Sequence, residues 1–184
     1  MINGKVSFWW QQIGLPDARA SLPGDTHVDV AIVGAGYTGL WSAYYLAQAN
    51  PVLQIAVLDA RFAGFGASGR NGGWLTNSIT GGREQYLSRF GRTAVEGMQS
   101  AVNGTVQEVV RIAAREGIEA DIHLGGEYTV AQNMAQQARL LEWAEAEAEW
   151  SMADTQLLSA EEAHERIGIA GTTGALWQPH AARI

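Results

Sequence analysis

Three glycines spaced as G-x-G-x-x-G separate two apolar runs of different periodicity, and this arrangement limits the fold more than any other feature. The run before the glycines is β-branched, as is typical of a buried strand: Val28, Val30, Ile32 and Val33. The run after them places apolar residues at i, i+3, i+4 and i+7, the spacing of one helix face: Leu40, Ala43, Tyr44 and Ala47. The change of periodicity at Gly34, Gly36 and Gly39 predicts a strand, a tight turn and a helix in succession.

Residues 28–49 are also apolar enough to raise the alternative of a membrane-spanning helix. Their only charged side chain is Asp29, and roughly twenty apolar residues are enough to cross a bilayer. However, each glycine in a helix interior costs about 1 kcal/mol relative to alanine, and no Lys or Arg flanks the stretch. We therefore expect no membrane span.

A second strand follows the predicted helix. The run "VLQIAVLD", residues 52–59, comes directly after Asn50-Pro51 and ends at Asp59. A strand, a helix and a strand of this total length form a parallel, right-handed βαβ unit. The predicted fold class is α/β, a Rossmann-like doubly wound parallel sheet, which is incomplete because only two such strands are recognisable.

The spacing of the glycines is that of a turn that binds the pyrophosphate of a dinucleotide. Gly34 permits the tight turn, Gly36 lets the backbone approach the phosphates, and Gly39 permits close packing of helix on strand. The N-terminus of the helix adds unpaired N–H groups and the positive end of its dipole. Asp59 ends the second strand, where a carboxylate accepts the adenosine ribose hydroxyls and disfavours a 2′-phosphate. FAD and NAD both present an ADP half, so this pattern leaves the two open.

Residues 60–83 form a long loop that is rich in glycine and contains the pentad "GRNGG". Long loops of this kind in compact domains are usually functional or disordered. Glycines suit a backbone that presses against a flat ligand and uses its own N–H groups as donors: Gly64, Gly66, Gly69, Gly72 and Gly73.

The runs "DVAIVGAGYTGLWSAYYLA" and "ARFAGFGASGRNGGW" resemble the FAD-dependent oxidoreductases of the D-amino-acid oxidase superfamily, which includes glycine, sarcosine and γ-glutamylputrescine oxidases. They look most like the γ-glutamylputrescine oxidase-like branch. The resemblance implies an enzyme that binds FAD and oxidises a small amine or amino acid by hydride transfer to the flavin. The residues that catalyse the reaction in this family have no counterpart here, so we name none.

The resemblance also assigns roles to residues. Asp59, more often a glutamate in the family, would hold the ribose, and Arg61 the edge of the adenosine half; residues 68–73 would pass along the ribityl chain toward the isoalloxazine. Arg70 could pair with a phosphate or with a surface acid. The predicted cofactor-binding set is Gly34, Gly36, Thr38, Gly39, Asp59, Ala60, Arg61, Ser68, Gly69, Arg70, Asn71, Gly72 and Gly73.

We divide the chain into three parts. Residues 1–27 are expected to be an extension whose Phe8, Trp9 and Trp10 pack on the domain; residues 28–83 hold the βαβ unit and the flavin loop. Residues 84–184 are expected to contain helices and the start of a substrate-binding region. Members of the resembling family run further, so we expect an amino-terminal portion of such an enzyme.

Composition excludes several other classes of protein. A net charge of -7 without a basic cluster argues against nucleic-acid binding. There is no cysteine, so neither a disulfide nor a thiolate metal site can form, and the four histidines have no metal-ligand spacing. In "GASGR", Arg70 replaces the last glycine of a hydrolase elbow, which argues against Ser68 as a nucleophile. We expect a cytoplasmic protein, since no signal peptide is evident, and no oligomeric state is predicted.

Two alternatives stay open at this point. The nucleotide unit could belong to an NAD-dependent dehydrogenase, or the chain could be a truncated remnant without catalytic activity. Trp74 and Trp177 could border a flavin, although packing is the commoner role of such aromatics.

Overall fold

The computed structural model describes residues 7–17 and 19–184, which divide into two compact units, Met1–Gly72 and Gly73–Ile184. The first unit contains α1 (Phe8–Ile13), β1 (Val30–Val33), α2 (Tyr37–Ala49) and β2 (Ile55–Leu58). The second contains β3 (Trp74–Thr76), α3 (Leu87–Glu116), β4 (His123–Leu124), β5 (Glu127–Ala131), α4 (Met134–Ala148), β6 (Gln156–Leu158), α5 (Ala160–Ile167), β7 (Gly174–Gln178) and β8 (Ala181–Arg183).

The first unit has the predicted strand–helix–strand arrangement. β1 and β2 are parallel, with Val30 opposite Ile55 and Val33 opposite Leu58, and α2 connects them. The pairing begins just after Asp29, whose carboxylate accepts a hydrogen bond from the Gln54 N–H at 2.8 Å. The parallel βαβ prediction is therefore confirmed, with β1 starting two residues later than the apolar run suggested.

The apolar face of α2 is only partly covered within this unit. Ala43 and Tyr44 are half-buried, whereas Leu40 and Ala47 are exposed, and Val33 at the end of β1 is 88% exposed. Two strands cover only a narrow part of the helix surface. For this reason only some of the residues of the predicted apolar face are buried.

The second unit is built from two antiparallel three-stranded sheets rather than from parallel strands. Their strand orders are β3-β8-β4 and β5-β7-β6. β3 follows the glycine-rich loop and pairs with β8, Trp74 lying opposite Arg183. The compact units divide after Gly72, because β3 pairs within the second unit, and the functional boundary after residue 83 stays a prediction.

The helices of the second unit follow the sequence signals closely. α3 lies within residues 84–184, where helices were expected, and is broken at Gly91, whose φ of 76° is not helical. Asn133 caps α4 by accepting from the Gln136 N–H at 2.9 Å. α5 begins with a capping box, in which Ser159 and Glu162 each accept from the other's N–H.

The core of the second unit lies where α4 and α5 cover the β5-β7-β6 sheet. One cluster joins Ala131, Leu140 and Leu176, and a second joins Leu158, Ala163 and Ala175. Ala175 and Leu176 are consecutive on β7 and point to opposite faces, so α4 packs on one face of the sheet and α5 on the other.

Candidate cofactor-binding site

The glycine turn between β1 and α2 requires glycine at the predicted positions. Gly34 has φ 103°, a backbone conformation that other residues rarely adopt. A Cβ on Gly39 would lie 2.0 Å from the Gly34 carbonyl oxygen, and one on Gly36 would lie 2.9 Å from Ser68 Oγ. Gly39 thus allows α2 to start directly against the turn, the role predicted from the spacing.

The N-terminus of α2 is open to an anion on one side. Gly36 is the N-cap residue and has no side chain with which to cap the helix. Ser68 Oγ accepts from the Tyr37 N–H at 3.0 Å, so a loop residue lies at the first turn of the helix. Backbone N–H groups and the helix dipole favour negative charge here, as a diphosphate would supply.

Asp59 connects the end of β2 to the glycine turn. Its Oδ2 accepts from the Ala35 N–H at 3.0 Å and its Oδ1 accepts from the Arg61 N–H at 2.9 Å. These two backbone hydrogen bonds, the one from Ala35 first, hold the pKa of the carboxyl below its ordinary value. Each oxygen keeps a further lone pair, so the carboxylate can still accept hydroxyl groups.

The glycine-rich loop folds back onto the turn. The Gly64 N–H donates to the Ala35 carbonyl at 2.9 Å, with Gly64 at φ 79°. A Cβ on Gly69 would lie 2.1 Å from the Gly64 carbonyl oxygen. Gly64 is therefore favoured by its backbone conformation and Gly69 by its close contact with the Gly64 carbonyl oxygen, two constraints that arise within the protein itself.

Two arginines of the loop, Arg61 and Arg70, lie against Phe65. Arg70 Nε donates to the Phe65 carbonyl at 2.9 Å, and its guanidinium lies 5.0 Å from the Phe65 ring centroid. The guanidinium of Arg61 lies 5.6 Å from the same centroid. Within the described residues, Arg70 thus contacts Phe65 through both its Nε and its guanidinium face, and its expected pairing with a phosphate or an acid stays a prediction.

Asn71 joins the end of the loop to α2. Its Nδ2 donates to the Tyr37 hydroxyl at 3.0 Å and to the Ser68 carbonyl at 2.8 Å. Sequence reasoning did not select Tyr37, although its place as the first residue of α2 after the glycine turn was a usable signal.

The remaining predicted residues are less constrained within their units. Thr38 and Ala60 are exposed, and a Cβ on Gly72 would meet no atom within 4 Å. Gly73 opens the second unit, where its carbonyl accepts from the Ile184 N–H at 2.9 Å. The first unit also has a groove of about 490 Å³ beside the turn, lined by β1, the start of α2 and Ser68.

The two tryptophans that could border a flavin differ in environment. Trp177 packs beside the apolar cluster of the β5-β7-β6 sheet and donates through Nε1 to the Gly125 carbonyl at 3.0 Å, which confirms a packing role. Trp74 is 61% exposed in the second unit.

The turn, the helix N-terminus and the acid at the end of β2 define a dinucleotide-binding βαβ unit. Residues 29–184 match the family described as DAO, FAD dependent oxidoreductase. The chain belongs to this family, which decides between flavin and nicotinamide in favour of FAD. The open turn and the acceptor pair of Asp59 fit the ADP half of that cofactor.

Relatives of known identity agree with this family. The γ-glutamylputrescine oxidoreductase of Escherichia coli (strain K12) is 35% identical over 148 residues, which cover 80% of this chain and 34% of that protein. The probable oxidoreductase OrdL of Haemophilus influenzae is 40% identical over 65 residues, 35% of this chain and 15% of that one. The chain thus spans about a third of the length of the first relative.

Solved structures show the same fold. Glycine oxidase from Bacillus cereus matches with a TM-score of 0.59 and 19% identity, over 85% of this chain and 40% of its own. The L-amino acid deaminase from Proteus vulgaris matches with a TM-score of 0.64 and 17% identity, over 92% and 37%. The Rossmann-like α/β class is therefore confirmed, with the antiparallel second unit added to it.

The described part of the chain, residues 7–17 and 19–184, lacks two features. No helix in that part of the chain has both the length and the apolar character needed to cross a membrane. Nor do three or more His, Asp or Glu side chains gather there as a set of metal ligands.

Proposed function

We propose that the first unit binds the ADP half of FAD at the glycine turn. Gly34, Gly36 and Gly39 admit the pyrophosphate to the N–H groups at the start of α2, and Asp59 accepts the ribose hydroxyls. The observation that carries this assignment is the Gly39 contact, because a 2.0 Å approach to a carbonyl oxygen leaves room for no side chain. Arg61, Ala60 and Thr38 lie at the edges of this half.

Residues 68–73 approach the remainder of the cofactor in this proposal. Support comes from Ser68 Oγ at the first turn of α2 and from Asn71, which donates to Tyr37 beside it. Arg70 acts mainly by fixing the loop through Phe65, since its Nε and its ring contact are both directed there.

The proposed reaction is the oxidation of a small amine or amino acid. Bound FAD supplies a ring that accepts hydride from the carbon next to the amine, leaving an imine that water hydrolyses. The residues described above bind and orient the cofactor for this reaction. The activity belongs to the whole protein, and its support is the family together with relatives named for γ-glutamylputrescine and glycine.

We assign the second unit to the substrate-binding region. It contains a cavity of about 420 Å³ bordered by α3, α4, β5 and β7, within the size range of small-molecule sites. Its lining carries one guanidinium and four carboxylates: Arg83, Glu84, Glu127, Glu147 and Asp154. An excess of carboxylates complements the ammonium group of an amine. A cytoplasmic location completes the proposal and is checked by cell fractionation.

The test is to mix the purified protein with FAD, remove free cofactor and record the visible spectrum. We expect retained flavin absorbance, with NAD failing to displace the flavin. Anaerobic addition of γ-glutamylputrescine, sarcosine or glycine should then bleach the absorbance near the flavin maximum. Protein that stays colourless would refute the cofactor assignment. Flavin that is bound but never bleached by any amine or amino acid would refute the reaction, as the remnant alternative expects.

A further inference from the structure

Helix α1 is too short to form without a partner. It has six residues, whereas isolated helices of fewer than about 12–15 residues are marginal in water. Ser7 Oγ accepts from the Trp10 N–H at 3.3 Å at its start, and Gly14 ends it. None of the six residues is fully buried. The contacts that hold α1 are those of two tryptophans with the glycine-rich loop.

Trp10 packs against the backbone of that loop. Its ring meets Phe62 edge-on, with ring centroids 5.1 Å apart. Its Cζ2 lies 3.4 Å from the place of a Cβ on Gly64, and its Nε1 lies 2.8 Å from the place of a Cβ on Gly69. Trp10 Nε1 is buried and has no hydrogen-bond partner within the part of the chain described. Packing, not hydrogen bonding, therefore sets the position of this indole.

Trp9 holds the other end of the loop. Its Nε1 donates to the Asn71 carbonyl at 2.7 Å. The side chain of Asn71 in turn donates to the Tyr37 hydroxyl, and Ser68 Oγ accepts from the Tyr37 N–H. One residue of the loop, Asn71, thus contacts both α1 and the first residue of α2.

We propose that α1 positions the glycine-rich loop for FAD, with Trp9 and Trp10 as positioning residues that do not touch the cofactor themselves. Trp10 supports the loop at Gly64 and Gly69, and Trp9 fixes Asn71, so the loop meets the start of α2 in one arrangement. This rests on the proposed role of the loop in FAD binding. A loop fixed before binding loses less conformational freedom when the cofactor arrives, and the affinity rises accordingly.

The first test measures the dissociation constant of FAD for the whole chain by quenching of flavin fluorescence. Trp9→Phe removes the indole donor and keeps an aromatic ring; one hydrogen bond corresponds to about a fivefold weaker affinity. Trp10→Ala should weaken binding about tenfold or more, and Trp10→Phe should recover part of the loss. The control is Ile13→Ala on the same helix, where a 73% exposed side chain predicts a change below about twofold.

The second test measures how well the loop is ordered in the absence of cofactor, from the hydrogen-exchange rates of single backbone amides. The Gly64 N–H, bonded to the Ala35 carbonyl, should exchange faster in Trp9→Phe and Trp10→Phe than in the unaltered chain. The Val130 N–H in the β5–β7 pairing of the second unit is the internal reference and should not change. This readout does not depend on whether the protein binds FAD.

These measurements distinguish the proposed binding of FAD from the proposed positioning role of α1. If the unaltered chain binds no FAD, the proposed function fails, while the exchange data still decide whether α1 fixes the loop. If FAD binds and both tryptophan variants match Ile13→Ala in affinity and exchange, the positioning role is overturned. Equal loss of protection at Gly64 and Val130 would also overturn it, because the effect would then be global unfolding.

Discussion

Replacement of Gly39 by alanine tests the geometry of the glycine turn most directly. The new Cβ would lie 2.0 Å from the Gly34 carbonyl oxygen and 3.2 Å from Ile32 Cγ2. Real Cβ contacts essentially never fall below 3.0 Å, and the closest atom here is backbone, so no side-chain rotation relieves the overlap. Helix and turn must therefore move apart.

The size of the effect follows from two opposing contributions. Overpacking costs typically about 1–3 kcal/mol, and an overlap with backbone belongs at the upper end. Alanine in a helix gains about 1 kcal/mol over glycine. We expect Gly39→Ala to lower the free energy of unfolding of the first unit by about 2 kcal/mol. The affinity for FAD should fall at least about tenfold, because the phosphate-binding N–H groups shift with the helix.

The matched control is Gly97→Ala in α3, where a Cβ would meet no atom within 4 Å. There only the helix contribution remains, so stability should rise by about 0.5–1 kcal/mol with FAD affinity unchanged. Urea unfolding followed by circular dichroism, with flavin fluorescence titration beside it, measures both quantities. If Gly39→Ala is as stable as Gly97→Ala and binds FAD equally well, the close-contact argument is wrong.

The remaining predictions concern substitutions of Asp59 and Ser159. Asp59→Ala should weaken FAD binding in a titration, and unchanged affinity would remove Asp59 from the site. Because the pKa of Asp59 in the folded protein lies below 3.8, its carboxylate contributes stability at higher pH that is lost as the pH falls through the lowered pKa. Asp59→Asn should therefore reduce the loss of stability at acid pH, as measured by unfolding curves at a series of pH values. Ser159→Ala should cost about 1 kcal/mol of stability by removing the cap of α5, whereas Ser100→Ala on the exposed side of α3 should not. The pKa of Glu162 is lowered mainly by the hydrogen bond from the Ser159 N–H, which Ser159→Ala leaves in place. The variant should therefore keep most of the stability that ionised Glu162 contributes, which is present above pH 4.5 and lost as the pH falls through the lowered pKa. Complete loss of this pH-dependent stability in a series of unfolding curves would show that the Ser159 side chain, not its N–H, lowers the pKa.

The glycine turn could be predicted because its constraints are local. Gly34, Gly36 and Gly39 are fixed by the backbone conformation between one strand and the next helix, and the periodicity of the flanking runs shows where each begins. The capping box of α5 is local in the same way, since Ser159 and Glu162 are neighbours on one helical turn. Short-range geometry of this kind leaves a sequence pattern.

The loop and the second unit depended on contacts between distant parts of the chain. Trp10 lies more than fifty residues before Gly64 and Gly69, so its packing against those two glycines could not be predicted from the loop alone. β3 pairs with β8 at the far end of the chain, and no local signal places Trp74 opposite Arg183. The boundary between the compact units after Gly72 depends on the same long-range pairing.

Asp59 shows what a shorter acid achieves at the end of β2. Both of its oxygens are already engaged by backbone N–H groups, so the side chain is immobilised before any cofactor arrives. A glutamate would have one more rotatable bond and would reach further, but it would have to be ordered on binding. The aspartate side chain is shorter than that of glutamate but is already ordered before binding. A bound ribose must therefore lie close to the end of β2, because the carboxylate is fixed there.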